Sequence, residues 1–172
     1  QATMMRAKGE PIDHIVHKDN LEMQRRKLSI LHGLDYEFSK TASDATVIES
    51  AMANYETAFR MQTIVPELAD ISREPVHIHR LYGTDSVDEH QRYYASQALR
   101  ARRLVEAGVR FIEITCPSFD GNNSPWDQHS KLKVNHEKNA RITEQSVAAL
   151  ITDLAQRGLL DETIVLWARS EE

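Results

Sequence analysis

The sequence predicts an α/β protein in which parallel strands are joined by a helix. Residues 109–115 and 163–167 are short runs rich in Val and Ile, and a long helical pattern ending at Arg157 lies between them. Two strands joined in this way form a βαβ unit, which nearly always makes them parallel. The order helix, Gly, strand occurs twice, at Gly108 and Gly158, which supports an αβαβ arrangement.

Composition limits the class of protein. The chain has 172 residues, 41% of them hydrophobic and 27% charged, which is typical of a globular domain with a sizeable core. The formal net charge of −5 and the lack of a dense basic run argue against nucleic-acid binding. We expect the cluster of Arg100, Arg102 and Arg103 to form the solvent-facing side of a helix. The single cysteine, Cys116, excludes an internal disulfide, and no apolar run is long enough to span a membrane.

Both ends of the chain favour a piece of a larger protein. The sequence starts at Gln1 without a Met and stops a few residues after the second predicted strand. A terminal parallel strand lacks the loop and helix that normally cover it. We therefore expect further chain on either side, with any signal peptide lying upstream.

Residues 1–83 are predicted to be a mainly helical excursion followed by a linker. A helical pattern begins at Asn20, and a second one follows an N-cap at Ser43 or Asp44. The two helices suggest an antiparallel hairpin beside the sheet. The pattern then dissolves over residues 72–83, which predicts a loop there. The apolar positions of the two helices are Leu21, Leu28, Leu31 and Phe38, then Ile48, Met52, Tyr55 and Phe59.

Residues 84–172 are predicted to be the αβαβ segment of the core. Ser86 and Glu89 form a capping box for a helix that runs to Ala107. Gly108 and Gly158 stand where a left-handed residue ends each helix, the second with a Schellman cap. The predicted buried faces are Tyr94, Ala98, Ala101 and Val105 on the first helix, and Val147, Leu150, Ile151 and Leu154 on the second.

The loop after the first predicted strand carries the candidate site. It contains the sequence Trp126-Asp127-Gln128-His129, at the place where α/β proteins usually position their chemistry. In an extended loop Asp127 and His129 point the same way, so they are a candidate metal-ligand pair or an oriented acid–base pair. Trp126 and Asn123 are the candidate substrate-binding residues. The alternative interpretation is that Asp127 caps the following helix and His129 is simply solvated.

The other chemically interesting residues give weaker signals. His77 and His79 alternate in a segment that we interpret as a surface loop, and His136 is expected to make an ordinary polar contact. Cys116 is most simply a small core residue. The sequence contains neither a phosphate-binding glycine-rich loop nor a nucleophile elbow.

Several stretches resemble one bacterial sulfatase-like family, called domain of unknown function 1501. The similarity is specific in residues 101–111, 126–129 and 158–165, fits residues 143–150, and is weaker in residues 55–62. That family is placed in the alkaline phosphatase and sulfatase superfamily. The resemblance therefore implies an α/β/α sandwich built around a mostly parallel sheet.

The resemblance also implies a function. The chain would be part of an exported, metal-dependent hydrolase of phosphate or sulfate esters, acting on small-molecule or polysaccharide substrates. By matching position, Asp127 and His129 would bind a divalent metal (Zn, Ca or Mg) or a substrate oxyanion. The superfamily nucleophile comes from an earlier strand that is absent here, so the 172 residues alone are expected to be inactive.

The sequence departs from the family pattern after Trp167. The family continues with small residues, Glu, an apolar residue, Gly and Arg, whereas here Ala168-Arg169-Ser170-Glu171-Glu172 follows. Glu171 is a candidate acidic ligand displaced by one position. The Asp-His pair of classical sulfatases is missing at this point, which favours the alternative of a catalytically inactive binding or scaffolding protein. A purely helical interaction protein, suggested by the apolar stripe from Leu21 to Phe38, is the third possibility.

Overall fold

The computed structural model describes residues 4–6, 11, 12, 15, 19–42, 45–116, 126 and 130–168. The helices are α1 (Leu21–Ser39), α2 (Ala45–Ala69), α3 (Val76–Tyr82), α4 (Glu89–Glu106) and α5 (Leu132–Gln156), followed by a short 3-10 helix (Leu160–Glu162). The chain divides into two compact units, Gln1–Ala69 and Asp70–Glu172. None of the helices in the described part of the chain is long and apolar enough to cross a membrane.

The first unit contains α1 and α2, which pack against each other. The side chain of Asn20 caps α1 by accepting a hydrogen bond of 2.9 Å from the backbone N–H of Met23. Both predicted helices are confirmed, and α2 continues through Pro66 to Ala69. The predicted N-caps of α2, Ser43 and Asp44, lie outside the described residues.

The second unit is built on the pairing of α4 with α5, and α3 packs against both helices. Its core consists of Ile78, Tyr82, Ala95, Ala98, Leu99 and Ala149. Alanines at the contact allow two helix backbones to approach closely while larger side chains fill the space beside them. Burial on α4 confirms Tyr94, Ala98 and Ala101 of the predicted face.

The prediction of an α/β sandwich with parallel strands is wrong. Every regular element in the described part of the chain is helical, and residues 109–115 and 163–167 are not strands. Thr163 has extended backbone angles, φ −125° and ψ 124°, but Ile164 and Leu166 beyond it are 94% and 80% exposed, and Phe111 is 78% exposed. A strand needs a neighbouring segment that satisfies its backbone N–H and C=O groups. The apolar content of the two runs suggested strands, but apolar content does not supply a pairing partner. Within the described residues neither run pairs with a neighbouring segment.

Two local details also differ from the sequence predictions. The segment predicted to be a loop contains α3, so His77 and His79 lie on a helix. The cap of α4 is Asp88 rather than Ser86, since its carboxylate accepts hydrogen bonds from the backbone N–H groups of His90 and Gln91. Ser86 assists instead by accepting a bond from the backbone N–H of Asp88.

The predicted glycine caps are confirmed at both helix ends. Gly108 and Gly158 have φ values of 84° and 69°, in the left-handed region that other residues rarely adopt. After α5 the N–H of Leu159 donates to the carbonyl of Leu154 at 2.9 Å, and the N–H of Gly158 donates to Ala155 at 3.1 Å. This pair of bonds defines a Schellman motif, and the same pattern closes α4.

The buried face of α5 is rotated from the one that the sequence predicts. Leu154 is buried, but the residues facing the core beside it are small or polar, and Ile151 is exposed. The hydroxyls of Thr143 and Ser146 donate to carbonyls of α5 itself, and Asp153 pairs with Arg102 of α4, so the burial of these polar groups is tolerated. The buried residues of α5 are Ile142, Thr143, Ser146, Ala149, Asp153 and Leu154.

Candidate functional site

Trp126 lies in an aromatic cluster against α5. Its ring centroid is 5.8 Å from that of Trp167, with the two planes at 88°, and 5.7 Å from the His136 imidazole at 72°. Both arrangements are edge-to-face contacts, the geometry that aromatic quadrupoles favour. Trp126 therefore lies at the same surface of α5 as Trp167, which belongs to the segment after the 3-10 helix.

The two tryptophans and α5 form the walls of an open groove. Its volume is about 430 Å³, and its lining is almost entirely apolar. Val147 and Ile151, which the sequence assigned to the core, line this groove. The groove residues of the described chain are Trp126, Ala140, Thr143, Glu144, Val147, Ala148, Ile151 and Trp167.

Cys116 and Tyr94 lie close to this cluster. Burial raises the pKa of the Cys116 thiol, and a side-chain contact with Trp126 offsets only part of that effect. Burial, with a smaller contribution from Cys116, raises the pKa of Tyr94 to about 12. A thiol with a raised pKa is protonated at neutral pH and is a poor nucleophile, so Cys116 is not poised for nucleophilic chemistry.

The candidate metal ligands fall on the undescribed part of the chain. Asp127, His129, Asn123 and Glu171 all lie outside the described residues, and only Trp126 of the candidate site can be placed. Among the described residues no group of three or more His, Cys, Asp or Glu side chains could hold a metal ion. The metal assignment therefore depends on Asp127 and His129 as sequence-derived ligands.

A buried ionic network, centred on Arg102, was not anticipated from the sequence. The prediction that Arg102 faces solvent is wrong, because this side chain is buried between α4, α5 and the turn before α3. Arg102 Nη2 lies 2.6 Å from Glu74 Oε2, its Nε lies 3.1 Å from Asp153 Oδ2, and its Nη1 pairs with Glu106. Arg102 follows Ala101 at the buried edge of α4, but two of its three partners, Glu74 and Asp153, are distant in sequence.

Two further arginines and a tyrosine complete the network. Arg103 Nη1 lies 2.5 Å from Glu74 Oε1, and Arg157 bridges Asp153 at 2.7 Å and Glu106 at 2.5 Å. The Tyr82 hydroxyl donates to Asp153 Oδ2 at 3.1 Å. Burial first, and then the Asp153 carboxylate, raise the pKa of Tyr82 above its usual range.

The network suits a structural role better than a catalytic one. Three carboxylates (Glu74, Glu106 and Asp153) face three guanidinium groups, so the cluster is neutral overall. Because each carboxylate is engaged by at least two arginines, none is available as a free metal ligand. Pairing offsets part of the desolvation penalty of these buried charges, and removing one partner would leave another charge uncompensated.

Comparison with known proteins identifies a family. Residues 1–170 match the family described as "Protein of unknown function (DUF1501)". No curated protein and no solved structure matches the chain.

Proposed function

The chain belongs to this family of unknown function, DUF1501, and from that premise we propose that it contributes a metal- and oxyanion-binding loop to a hydrolase of phosphate or sulfate esters. The proposal includes the kinship of the family with alkaline phosphatases and sulfatases, and export from the cell. Its support is the resemblance of residues 101–111, 126–129 and 158–165 to the pattern of this family. The observation that carries it is the position of Trp126, the first residue of the Trp-Asp-Gln-His sequence, on a groove large enough for a small ligand.

The proposed roles follow from ligand chemistry. Asp127 supplies a carboxylate oxygen and His129 an imidazole nitrogen, a combination that suits Zn²⁺ and, through the carboxylate, Ca²⁺ or Mg²⁺. A bound divalent ion would supply charge stabilisation for the ester oxyanion. Trp126 would form an apolar wall beside the ester, and Asn123 would donate hydrogen bonds to it. Glu171 is the proposed additional acidic ligand.

Activity and metal content test this proposal together. The protein as the cell makes it is assayed on aryl phosphates and aryl sulfates with added Zn²⁺, Ca²⁺ or Mg²⁺, and its metal content is measured after purification. We expect one stoichiometric divalent ion, and we expect His129→Ala to lower metal affinity and turnover by at least roughly 10- to 100-fold. The matched control is His77→Ala, since His77 is an exposed residue on α3. A His129→Ala variant with wild-type activity would remove His129 from the mechanism.

A binding or scaffolding role without catalysis is the second candidate. It is favoured by α1, which contains no buried residue and exposes the large apolar side chains of Ile30, Leu34 and Phe38. Exposed apolar stripes of this kind are typical of protein interaction surfaces. Three results together would support this candidate over the hydrolase. The protein would bind no stoichiometric metal, it would hydrolyse neither ester class, and it would elute with a partner that the Leu34→Glu variant no longer holds.

A further inference from the structure

The groove between Trp126, Trp167 and α5 has the chemistry of a cation site. Its two indole rings meet at 88° with centroids 5.8 Å apart, so they form two walls of a corner. The face of an indole ring attracts a cation that approaches within about 6 Å of its centroid, and tryptophan is the strongest of the aromatic side chains in this respect. We propose that this groove binds a small organic cation of the quaternary ammonium class.

The charge of the groove is complementary to such a ligand. Glu144 is the one charged side chain among its described lining residues. The Thr143 hydroxyl is committed to its own helix, donating to the carbonyls of Asn139 at 3.1 Å and Ala140 at 3.3 Å. The rest of the described lining is apolar. Among these residues a ligand meets two aromatic walls, an aliphatic floor formed by Val147 and Ile151, and the single negative charge of Glu144.

The size and polarity of the groove narrow the ligand class further. A volume of about 430 Å³ lies within the range that small-molecule sites occupy, roughly 300–1,000 Å³. A methylated ammonium group carries positive charge on an apolar surface, which suits walls that offer almost no hydrogen bonds. A sugar ring presents many hydroxyl groups that need polar partners, and the lining residues that the structure describes supply few of them.

The inference does not depend on hydrolysis or on a metal. The groove shares Trp126 with the proposed ester site, but its other walls, Trp167 and α5, have no role in that proposal, and cation binding needs neither Asp127 nor His129. Binding is therefore measured in the presence of EDTA, so that a failure of the hydrolase proposal leaves the result unaffected.

Intrinsic fluorescence provides a specific readout. The sequence contains two tryptophans, Trp126 and Trp167, and both lie on the groove. Choline chloride is titrated into the purified chain, with the uncharged 3,3-dimethyl-1-butanol, which has the same shape, as the control ligand. Methyl β-glucoside is the control for sugar binding. We expect choline to change the fluorescence saturably with a Kd on the order of 1–10 mM, and both control ligands to bind at least roughly fivefold more weakly.

Two variants separate the charge from the aromatic wall. Glu144→Gln retains the size of the side chain and removes the charge, while Trp167→Leu retains an apolar side chain and removes the ring. Each is expected to weaken choline binding by roughly fivefold or more. Glu162→Gln is the matched control, because it removes the same charge from an exposed residue outside the groove, and it should leave choline binding unchanged. Circular dichroism shows whether each variant retains its helices, and Glu144→Gln alone suffices if Trp167→Leu unfolds.

Three results would overturn the proposal. The first is the absence of a saturable response to choline. The second is equal binding of the uncharged alcohol or of the glucoside, which would make the groove a general apolar or sugar site. The third is unchanged choline affinity in a folded Glu144→Gln variant.

Discussion

Arg102 and Asp153 form a buried ion pair between α4 and α5. Arg102 Nε lies 3.1 Å from Asp153 Oδ2, and each side chain is 2% exposed. The two residues are 51 positions apart, and both belong to the principal helix pair of the second unit. Their contact therefore fixes the register of α5 on α4 and makes the stability of this unit sensitive to either residue.

Removing the central guanidinium should destabilise the second unit strongly. Arg102→Met leaves Glu74 and Asp153 buried with fewer compensating charges, so we expect a loss of roughly 3–5 kcal/mol in the free energy of unfolding. Urea denaturation followed by circular dichroism measures this loss. Arg73→Met is the matched control, since Arg73 is exposed in the same unit, and its effect should stay within about 0.5 kcal/mol. Equal stability of the two variants would contradict a central role for Arg102.

The conservative replacement Arg102→Lys tests the geometry rather than the charge. A lysine keeps the positive charge but cannot reach Glu74, Glu106 and Asp153 at once, since its ammonium group lacks the planar fork of arginine. We expect it to recover only part of the stability lost in Arg102→Met. Full recovery would show that net charge alone matters at this position.

Acidification should destabilise the second unit through Glu74. Burial opposes ionisation of this carboxyl, but hydrogen bonds from Arg103 and Arg102 outweigh it and hold the pKa of Glu74 below its usual value of 4.5. Because the pKa of Glu74 is lower in the folded state than in the unfolded state, ionised Glu74 stabilises the folded unit above pH 4.5. This stabilisation is lost as the pH falls from 4.5 through the folded-state pKa. Urea denaturation at a series of pH values should show this decline, with a shallower slope in Glu74→Gln. An unchanged slope in that variant would exclude Glu74 as the cause.

Alkaline conditions should destabilise the same unit through Tyr94. Burial raises the pKa of its hydroxyl from 10.0 to about 12 in the folded state. A raised folded-state pKa gives stability that is complete below pH 10.0 and lost as the pH rises through about 12. Tyr94→Phe should reduce this alkaline loss, which stability measurements across that range can detect. Tyr36→Phe, which removes a hydroxyl from an exposed residue of the first unit, is the control substitution.

Alanine substitutions at two glycines distinguish the cost of backbone strain from the cost of side-chain crowding. Gly83 and Gly108 both have positive φ, 83° and 84°, so an alanine at either position is strained. A Cβ at Gly83 would also meet the Gln145 amide at 3.0 Å, whereas one at Gly108 would meet nothing within 4 Å. We expect Gly83→Ala to cost about 1 kcal/mol more than Gly108→Ala in thermal or urea unfolding.

The reason for that difference is the hydrogen bonding of Gln145. Its Nε2 donates to the carbonyls of Arg80 at 3.0 Å and Leu81 at 3.2 Å, and its Oε1 accepts from Gln91 at 2.8 Å. A methyl group at Gly83 would displace the amide that joins α3, α4 and α5. Equal costs for the two alanine variants would show that Gln145 moves aside without losing these bonds.

The candidate site was only partly predictable from the sequence. The sequence assigned a ligand-facing role to Trp126, and the structure places this residue on a groove. It could not reveal Trp167 as the second wall, because the two indoles are 41 positions apart and only tertiary packing brings them together. Val147 and Ile151 were assigned to the core because hydrophobicity does not distinguish a core face from a groove.

The sequence by itself determined α1, α2, α4 and α5 and the glycine caps that close α4 and α5, because each depends on hydrogen bonds between residues a few positions apart. Only the tertiary structure decided which face of α5 is buried and that Arg102 lies inside. It also decided that residues 109–115 and 163–167 do not form strands. These features depend on partners far away in the chain, such as Glu74 and Asp153 for Arg102. A local pattern can show that a segment is apolar or charged, but which residues that segment contacts is decided by the tertiary fold.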